Sequence, residues 1–249
     1  MTRIADRLPV LVAERLEHIK IIEAKQRDPE EDKAGWYSAA LSEDMRFFGI
    51  AAYVLDGDVD AFRSKLTESA RLYLTLFERF ERGELSGDSW ISMLSHKHLF
   101  DSLAAGAKNL ATSFASHMGG RDKIEKKTDH PFDRAMGYTL RAFVLNDRAQ
   151  IEVWTPQFIE RCERTRASAF LGYGKVFQAI LEENTAAANE GLQAIVKGHR
   201  KQSKGRGIFA GIVDEVLCVW GIGMANLARW RGLAVDPIPP LIPGDLLVN

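Results

Sequence analysis

The segment DAFRSKLTESARLYLTLFERFER, residues 60–82, repeats its apolar side chains at intervals of four and three residues. The apolar positions are Phe62, Leu66, Ala70, Tyr73, Phe77 and Phe80. Because an α-helix has 3.6 residues per turn, this spacing places all six side chains on one stripe of a helix. Asp58 or Asp60 can cap the start of this helix, and Gly83 can end it. The segment therefore predicts an amphipathic helix from about Asp60 to Arg82.

The same helical periodicity continues along the rest of the chain. Upstream, a second stripe consists of Leu8, Val12, Leu16 and Ile19, and residues 35–55 carry a third. Pro131 and Pro156 each lie where the first turn of a helix is expected, a position that tolerates proline. Thr155 is the expected N-cap of the later helix. No run alternates polar and apolar residues over enough positions to predict a strand. We therefore predict an all-α fold.

Three apolar helix ends, at residues 52–58, 142–147 and 178–184, each lead into an acidic or amide turn and a new amphipathic helix. Leu145 and Leu181 are 36 residues apart, close to the length of a helix–turn–helix repeat, but Leu55 does not fit this period. We expect either an irregular array of antiparallel helix pairs, which is a repeat-like helical bundle, or an ordinary helical protein that shares such turns.

We expect residues 1–249 to form a single helical domain. Two sub-arrays, 1–118 and 130–249, are an alternative, since residues 119–129 (GGRDKIEKKTD) are typical of a polar loop. Four prolines between Pro237 and Pro243 exclude a helix there. This composition favours an extended Pro-rich C-terminal tail that lies over the body of the protein.

Composition excludes several classes of protein. Lys and Arg number 33 against 34 Asp and Glu, so the net charge of −1 lacks the basic excess of a nucleic-acid binder. Two cysteines, Cys162 and Cys218, are too few for a disulfide framework or a cysteine zinc site. The longest apolar run, residues 216–225, is about half the ~20 residues that a membrane-spanning helix needs. Together with a start unlike a signal peptide, this predicts a soluble, cytoplasmic protein without a membrane partner.

No motif of known catalytic chemistry is complete. Gly87–Ile91 begins like a nucleophile elbow around Ser89 but lacks its closing glycine. Two Gly-x-Gly pairs, at residues 172–174 and 221–223, lack the third glycine and the strand of a dinucleotide site. His96 and His98 are two residues apart and would point away from each other on a helix. We therefore predict no catalytic residue, no metal and no cofactor, and we expect Cys218 to be a buried thiol.

Acidic side chains collect in the turns. The candidate contacts of a protein-binding surface are Asp28, Glu30, Glu31, Asp32, Asp56, Asp58, Asp60, Glu182 and Glu183. Helix capping is the ordinary explanation of such carboxylates. Alternatively they would attract a basic partner, and they would share one edge of the molecule if the helix pairs form a repeat. A basic stretch without acids follows later, at residues 197–206.

The C-terminal quarter contains three motifs in a fixed order: NEGLQAIVKGH at 189–199, MANLARWRGLAV at 224–235 and LIPGDLL at 241–247. This order resembles the immunity-protein-49 family of bacterial polymorphic-toxin immunity proteins. The resemblance implies a helical cytosolic inhibitor that takes part in interbacterial competition. Such a protein is not an enzyme, and it neutralises a cognate toxin by covering the active site or substrate path of that toxin. One candidate toxin is a nucleic-acid-targeting enzyme, because acidic side chains can occupy the place of phosphates.

Two other functions are compatible with the sequence. The first is a helical-repeat adaptor that binds a peptide or partner protein, with the basic stretch at 197–206 as its recognition surface. The second is a helical enzyme with a small-molecule pocket, which several perturbed acids or histidines around one deep pocket would support.

Overall fold

In the computed structural model, residues 3–88, 90–164 and 167–248 are described, and most of them lie in helices. These residues contain no strand, so the all-α prediction is confirmed. The α-helices are α1 (Arg3–Gln26), α2 (Trp36–Asp56), α3 (Val59–Glu81), α4 (His96–Ala104), α5 (Lys108–His117), α6 (Asp122–Thr128), α7 (Pro131–Leu145), α8 (Arg148–Arg164), α9 (Leu171–Leu181), α10 (Thr185–Gln202) and α11 (Val219–Trp230). Short 3-10 turns lie at Met93–Ser95, Ser168–Phe170, Val213–Glu215 and Gly244–Leu246.

Helix α3 is the amphipathic helix predicted from the spacing of its apolar residues. Its start is capped by Asp58, whose side chain accepts a hydrogen bond of 2.8 Å from the Ala61 amide. Phe62, Leu66 and Phe77 are completely buried, as their shared stripe requires. Gly57, with φ +69°, ends the preceding helix in the left-handed conformation that glycine adopts readily.

Contacts with α2 set the directions of its neighbours. Ser42 of α2 bonds to Ser69 of α3, whereas Tyr53 of α2 packs on Phe62, so α2 and α3 run in opposite directions. Helix α4 runs with α2, because Ser42 contacts His98 and Arg46, one turn later in α2, contacts Asp101. The starts of α2 and α4 therefore lie at the same end of the molecule.

Helices α9 and α10 approach each other closely through glycine. A Cβ atom on Gly172 would lie 2.5 Å from the Ile195 amide nitrogen, and one on Gly191 would lie 2.7 Å from Val176. Gly198 meets the backbone of Ala169 in the same way. The first Gly-x-Gly pair therefore belongs to helix packing.

Helix α8 begins earlier than the sequence predicts. Asp147 caps it by accepting a hydrogen bond of 3.2 Å from the Gln150 amide, so Thr155 and Pro156 lie inside the helix. Thr155 is consequently not an N-cap. Pro156 has no N–H, and the helix gives up one internal hydrogen bond at this point.

Residues 119–129 are not wholly a loop, because residues 122–128 form α6. Glu125 explains the difference: its side chain is completely buried and accepts hydrogen bonds from the Arg121 amide and the Tyr138 hydroxyl, both at 2.8 Å. These bonds attach α6 to α7. The polar composition of the segment thus reflects a buried polar contact as well as exposure.

The stripe predicted for α1 is only partly buried. Leu8 is completely buried against Phe47 and Ala51, but Leu16 is 52% exposed. At the other end of the chain, residues 233–243 contain no helix, and Leu241 and Ile242 are buried. Across the described ranges, no helix combines the length and the hydropathy that crossing a membrane requires.

Candidate functional site

The acidic residues predicted as contacts form three groups along the chain. Asp28, Glu30, Glu31 and Asp32 precede α2, whereas Asp56 is its last residue and Asp58 and Asp60 follow it. Helix α2 has 21 residues, which at 1.5 Å per residue separates the two groups by about 30 Å. Glu182 and Glu183 form a third group in the turn after α9. The predicted contacts therefore form separate groups and not one cluster, and their role in binding a partner stays a prediction.

Asp32 is not available to a partner, because it is completely buried. Its carboxylate accepts hydrogen bonds from the Tyr37 amide at 2.8 Å and the Ser38 amide at 3.2 Å at the start of α2. It also forms an ion pair of 2.6 Å with Arg79 of α3. Asp32 thus caps α2 and connects it to α3. Capping likewise explains Asp58, which lies at the start of α3. The remaining predicted acids are exposed.

Neither thiol is in a reactive environment. Cys162 and Cys218 are buried and unpaired, and burial raises the pKa of each to about 12. Within the described part of the chain, no group of three or more His, Cys, Asp or Glu side chains could hold a metal ion. Ser89, the central residue of the elbow-like motif, lies outside the described residues.

His96 and His98 are both buried in α4, and they have different surroundings. The Nδ1 atom of His96 donates to the Met93 carbonyl at 2.9 Å, and its ring packs edge-on against Trp220. Burial lowers the pKa of His96 to about 3. Burial and the nearby Arg46 charge lower the pKa of His98 well below its usual range. Both imidazoles are therefore neutral near pH 7.

His98 belongs to a buried polar network centred on Arg46. Arg46 donates hydrogen bonds to the carboxylates of Asp101 and Asp214, and all three side chains are almost completely buried. The Ser69 hydroxyl donates to Asp101 at 3.1 Å, and His98 Nδ1 lies 3.3 Å from the same carboxylate. Each charged group is thus paired, as burial in a low dielectric requires.

This network does not have the geometry of a catalytic triad. In a triad, the serine and the carboxylate bond to different nitrogens of the histidine ring. Here Ser42 Oγ and Asp101 Oδ2 both lie near Nδ1 of His98, at 3.2 and 3.3 Å. Ser42 is also completely buried and donates to the Ser69 carbonyl at 2.9 Å. The network therefore connects α2, α3 and α4 rather than activating a nucleophile.

Two depressions open directly above this network. They have volumes of about 230 and 240 Å³ and lie on either side of a ridge formed by Glu43, Leu94 and Lys97. The first, the Trp220 depression, is also lined by Arg46, Asp133, Ile208, Phe209, Ile212, Asp214 and Trp220. The second, the Trp36 depression, is also lined by Trp36, Ala39, Ala40, Tyr73, Trp90, Ser92 and His98.

Large apolar side chains surround both depressions. Trp36 is 59% exposed, and the other three exposed residues of this apolar rim are Leu94, Ile208 and Ile212. Exposed apolar side chains are unremarkable one by one, but a contiguous group typically marks an interaction surface. Leu94 lines both depressions and so connects the two parts of this group, with the charged side chains of Glu43 and Lys97 beside it.

Local contacts fix the position of Trp36. Gly35, with φ +74°, turns the chain into α2, and a Cβ atom there would lie 2.7 Å from Leu76. The Trp36 and Trp90 rings lie 5.7 Å apart, and Trp90 Nε1 donates to the Ala34 carbonyl at 2.8 Å. These contacts restrict the conformations of Trp36 although its side chain is exposed.

Comparison of the chain with protein-family models, curated proteins and solved structures found no match.

Sequence reasoning missed the apolar rim as a set. Its four residues come from α2, the turn before α4 and the segment between α10 and α11. Each follows or interrupts a polar turn rather than continuing a helical stripe, and this was the available signal. Ile208 and Ile212, which come soon after the polar segment KQSKGRG at 201–207, are the clearest examples.

Proposed function

We propose that this chain is an immunity protein that binds a cognate antibacterial toxin and covers its active site or substrate path. The observation that carries the proposal is the apolar rim of Trp36, Leu94, Ile208 and Ile212 around two adjacent depressions. The resemblance of the C-terminal quarter to the immunity-protein-49 family supports the same function.

The apolar rim has the properties of an energetic centre in a protein interface. Most binding energy in such interfaces comes from a few well-packed anchors, among which tryptophan is enriched. Trp36 and Ile208, each more than half exposed, would lose this exposure against the toxin. The ridge residues Glu43 and Lys97 would then lie inside the interface, where unmatched charges disfavour incorrect partners.

The interior of the protein supports a binding role more than a catalytic one. The perturbed histidines, His96 and His98, are neutral and surrounded by packed side chains. The two depressions beside them are each smaller than the roughly 300–1,000 Å³ of typical small-molecule sites. An inhibitor needs only a stable fold and a surface complementary to its target. The features described here are compatible with these two requirements.

The exposed acids of the turns have a secondary part in this proposal. Asp56, Asp58 and Asp60 lie at the end of α2 opposite to the apolar rim. At that distance they would attract a basic toxin during approach and increase the association rate, rather than contribute contacts.

The test is neutralisation in cells. The product of the gene adjacent to this one is expressed from an inducible promoter, with and without this protein, and growth is measured. We expect growth arrest by the neighbouring product alone, rescue by this protein, and copurification of the two. Arrest that this protein does not relieve, or a neighbouring product that does not bind it, would exclude the proposal.

One observation favours the alternative of a peptide-binding adaptor. A depression of about 600 Å³ lies beside the end of α10, with Arg200 and Lys204 at its edge and Val54, Val216 and Leu241 along its wall. This combination suits a peptide that carries both acidic and apolar residues. A fluorescent peptide of Asp and Leu residues would test this function. Binding to the wild type that is weakened by Arg200→Gln and by Lys204→Gln would support it.

A further inference from the structure

A separate groove lies between α8 and α9 and shares no lining residue with the two depressions described above. Its volume is about 540 Å³, and its apolar floor is formed by Ile151, Pro156, Ile159 and Leu181. The α8 residues that face it recur at intervals of three and four, which places them on one side of that helix. The groove is therefore the unpacked face of α8 beside the end of α9.

Carboxylates line both sides of this groove. Glu152, Glu160 and Glu163 lie along α8, and Glu182 follows α9. None of the described lining residues is a cation. Arg148 pairs with Glu152 and Arg164 with Glu160, but these pairs are exposed and contribute little. Glu163 and Glu182 form no ion pair among residues 3–88, 90–164 and 167–248.

Thr155 provides an independent indication of a ligand. Its side chain is 4% exposed and lines the groove, and its Oγ1 atom has no hydrogen-bond partner in the described part of the protein. A buried hydroxyl without a partner is costly, and buried polar groups are normally satisfied.

We propose that this groove binds a basic amphipathic helix of about three turns in a partner protein. The lining residues of α8 extend from Ile151 to Glu163, which corresponds to about 18 Å along α8, or a little over three helical turns. Apolar side chains of the bound helix contact Ile159 and Leu181, and its Lys or Arg side chains contact the glutamates on both sides. This is helix-in-groove recognition with complementary charge.

The full-length protein is titrated into two fluorescent twelve-residue probes and binding is followed by anisotropy. The first probe is LKKLLKKLLKKL, and the second replaces every Lys by Glu. We expect the Lys probe to bind and the Glu probe not to bind. Equal binding of both probes, or no binding of the Lys probe at low ionic strength, would overturn the proposal.

Matched variants separate the groove from general attraction between opposite charges. Glu160→Gln, Glu163→Gln and Glu182→Gln together should weaken binding of the Lys probe about tenfold. The control triple, Glu14→Gln, Glu17→Gln and Glu190→Gln, changes the net charge equally at exposed sites elsewhere and should change binding less than about twofold. Equal effects of the two triples would contradict the assignment.

A second pair of variants tests the apolar floor. Leu181→Ser removes a floor residue that is 37% exposed, whereas Val153→Ser changes a residue of α8 that is 49% exposed and does not line the groove. Only Leu181→Ser should weaken binding. This outcome is independent of the toxin experiment, because the groove and the apolar rim are different surfaces.

Discussion

The guanidinium of Arg46 donates a hydrogen bond to the carboxylate of Asp214, which lies 168 residues further along the chain. Asp101 accepts a second bond from the same guanidinium. Because Arg46 is in α2 and Asp214 precedes α11, this contact brings Ile208 and Ile212 next to the residues of α2. The buried ion pair therefore positions two of the four residues of the apolar rim.

Arg46→Met should be strongly destabilising, because it leaves Asp101 and Asp214 buried without a cation. The expected loss in the free energy of unfolding is about 3–5 kcal/mol. Denaturant unfolding at pH 7 measures it. The control is Arg82→Met, since the side chains of Arg82 and its partner Glu84 are both about half exposed, and this variant should lose far less stability. Equal losses in the two variants would show that the network is not a stabilising feature.

Gly198→Ala should disrupt the packing of α10 on the turn before α9. A Cβ atom on Gly198 would lie 1.8 Å from the Ala169 carbonyl oxygen, and the backbone there cannot move away as a flexible side chain could. We expect a loss of at least about 2 kcal/mol. At Gly87 an added Cβ meets nothing within 4 Å, so Gly87→Ala should stay within about 0.5 kcal/mol of the wild type. Thermal unfolding of both variants provides the comparison.

Stability should fall as the pH falls below about 6.5, the ordinary pKa of histidine. Burial lowers the pKa of His96 to about 3, so between these values the unfolded chain binds a proton that the folded protein excludes. Each such histidine contributes a slope of about 1.4 kcal/mol per pH unit. His96→Gln should reduce the slope by that amount between pH 6 and pH 4. An unchanged slope would mean that His96 is protonated in the folded state.

The two thiols should not react in the folded protein. Both are buried, and burial raises their pKa to about 12, so almost no thiolate is present at pH 8. A colorimetric disulfide reagent should therefore modify both cysteines in denaturant and neither under native conditions. Rapid native modification of Cys162 or Cys218 would contradict the packing around that residue.

Local sequence patterns predict the helices that carry a continuous apolar stripe. For α3, six apolar residues at the helical spacing and Asp58 at the cap are enough to place it within one residue at each end. Patterns failed where a distant contact decides the local structure. Residues 122–128 form α6 because Glu125 bonds to Tyr138 of α7, and Thr155 lies inside α8 because Asp147 caps that helix first.

The candidate site was less predictable than the helices. The exposed acids could be found by their composition, but sequence alone could not show that Asp32 is buried by Arg79, which lies 47 residues away. The apolar rim depends on the contact between Arg46 and Asp214, which no local periodicity reports. Residues brought together by tertiary contacts are thus the part of the site that only the structure reveals.

The dissociation constant of the complex with the product of the neighbouring gene tests the central claim most directly. Calorimetry would compare the wild type with Trp36→Ala and Ile208→Asp on the apolar rim and with Val153→Asp, an equally exposed position outside it. We expect each rim variant to weaken binding at least about thirtyfold, the loss typical of an interface anchor, and Val153→Asp to change it less than about twofold. Wild-type affinity in both rim variants would contradict the account.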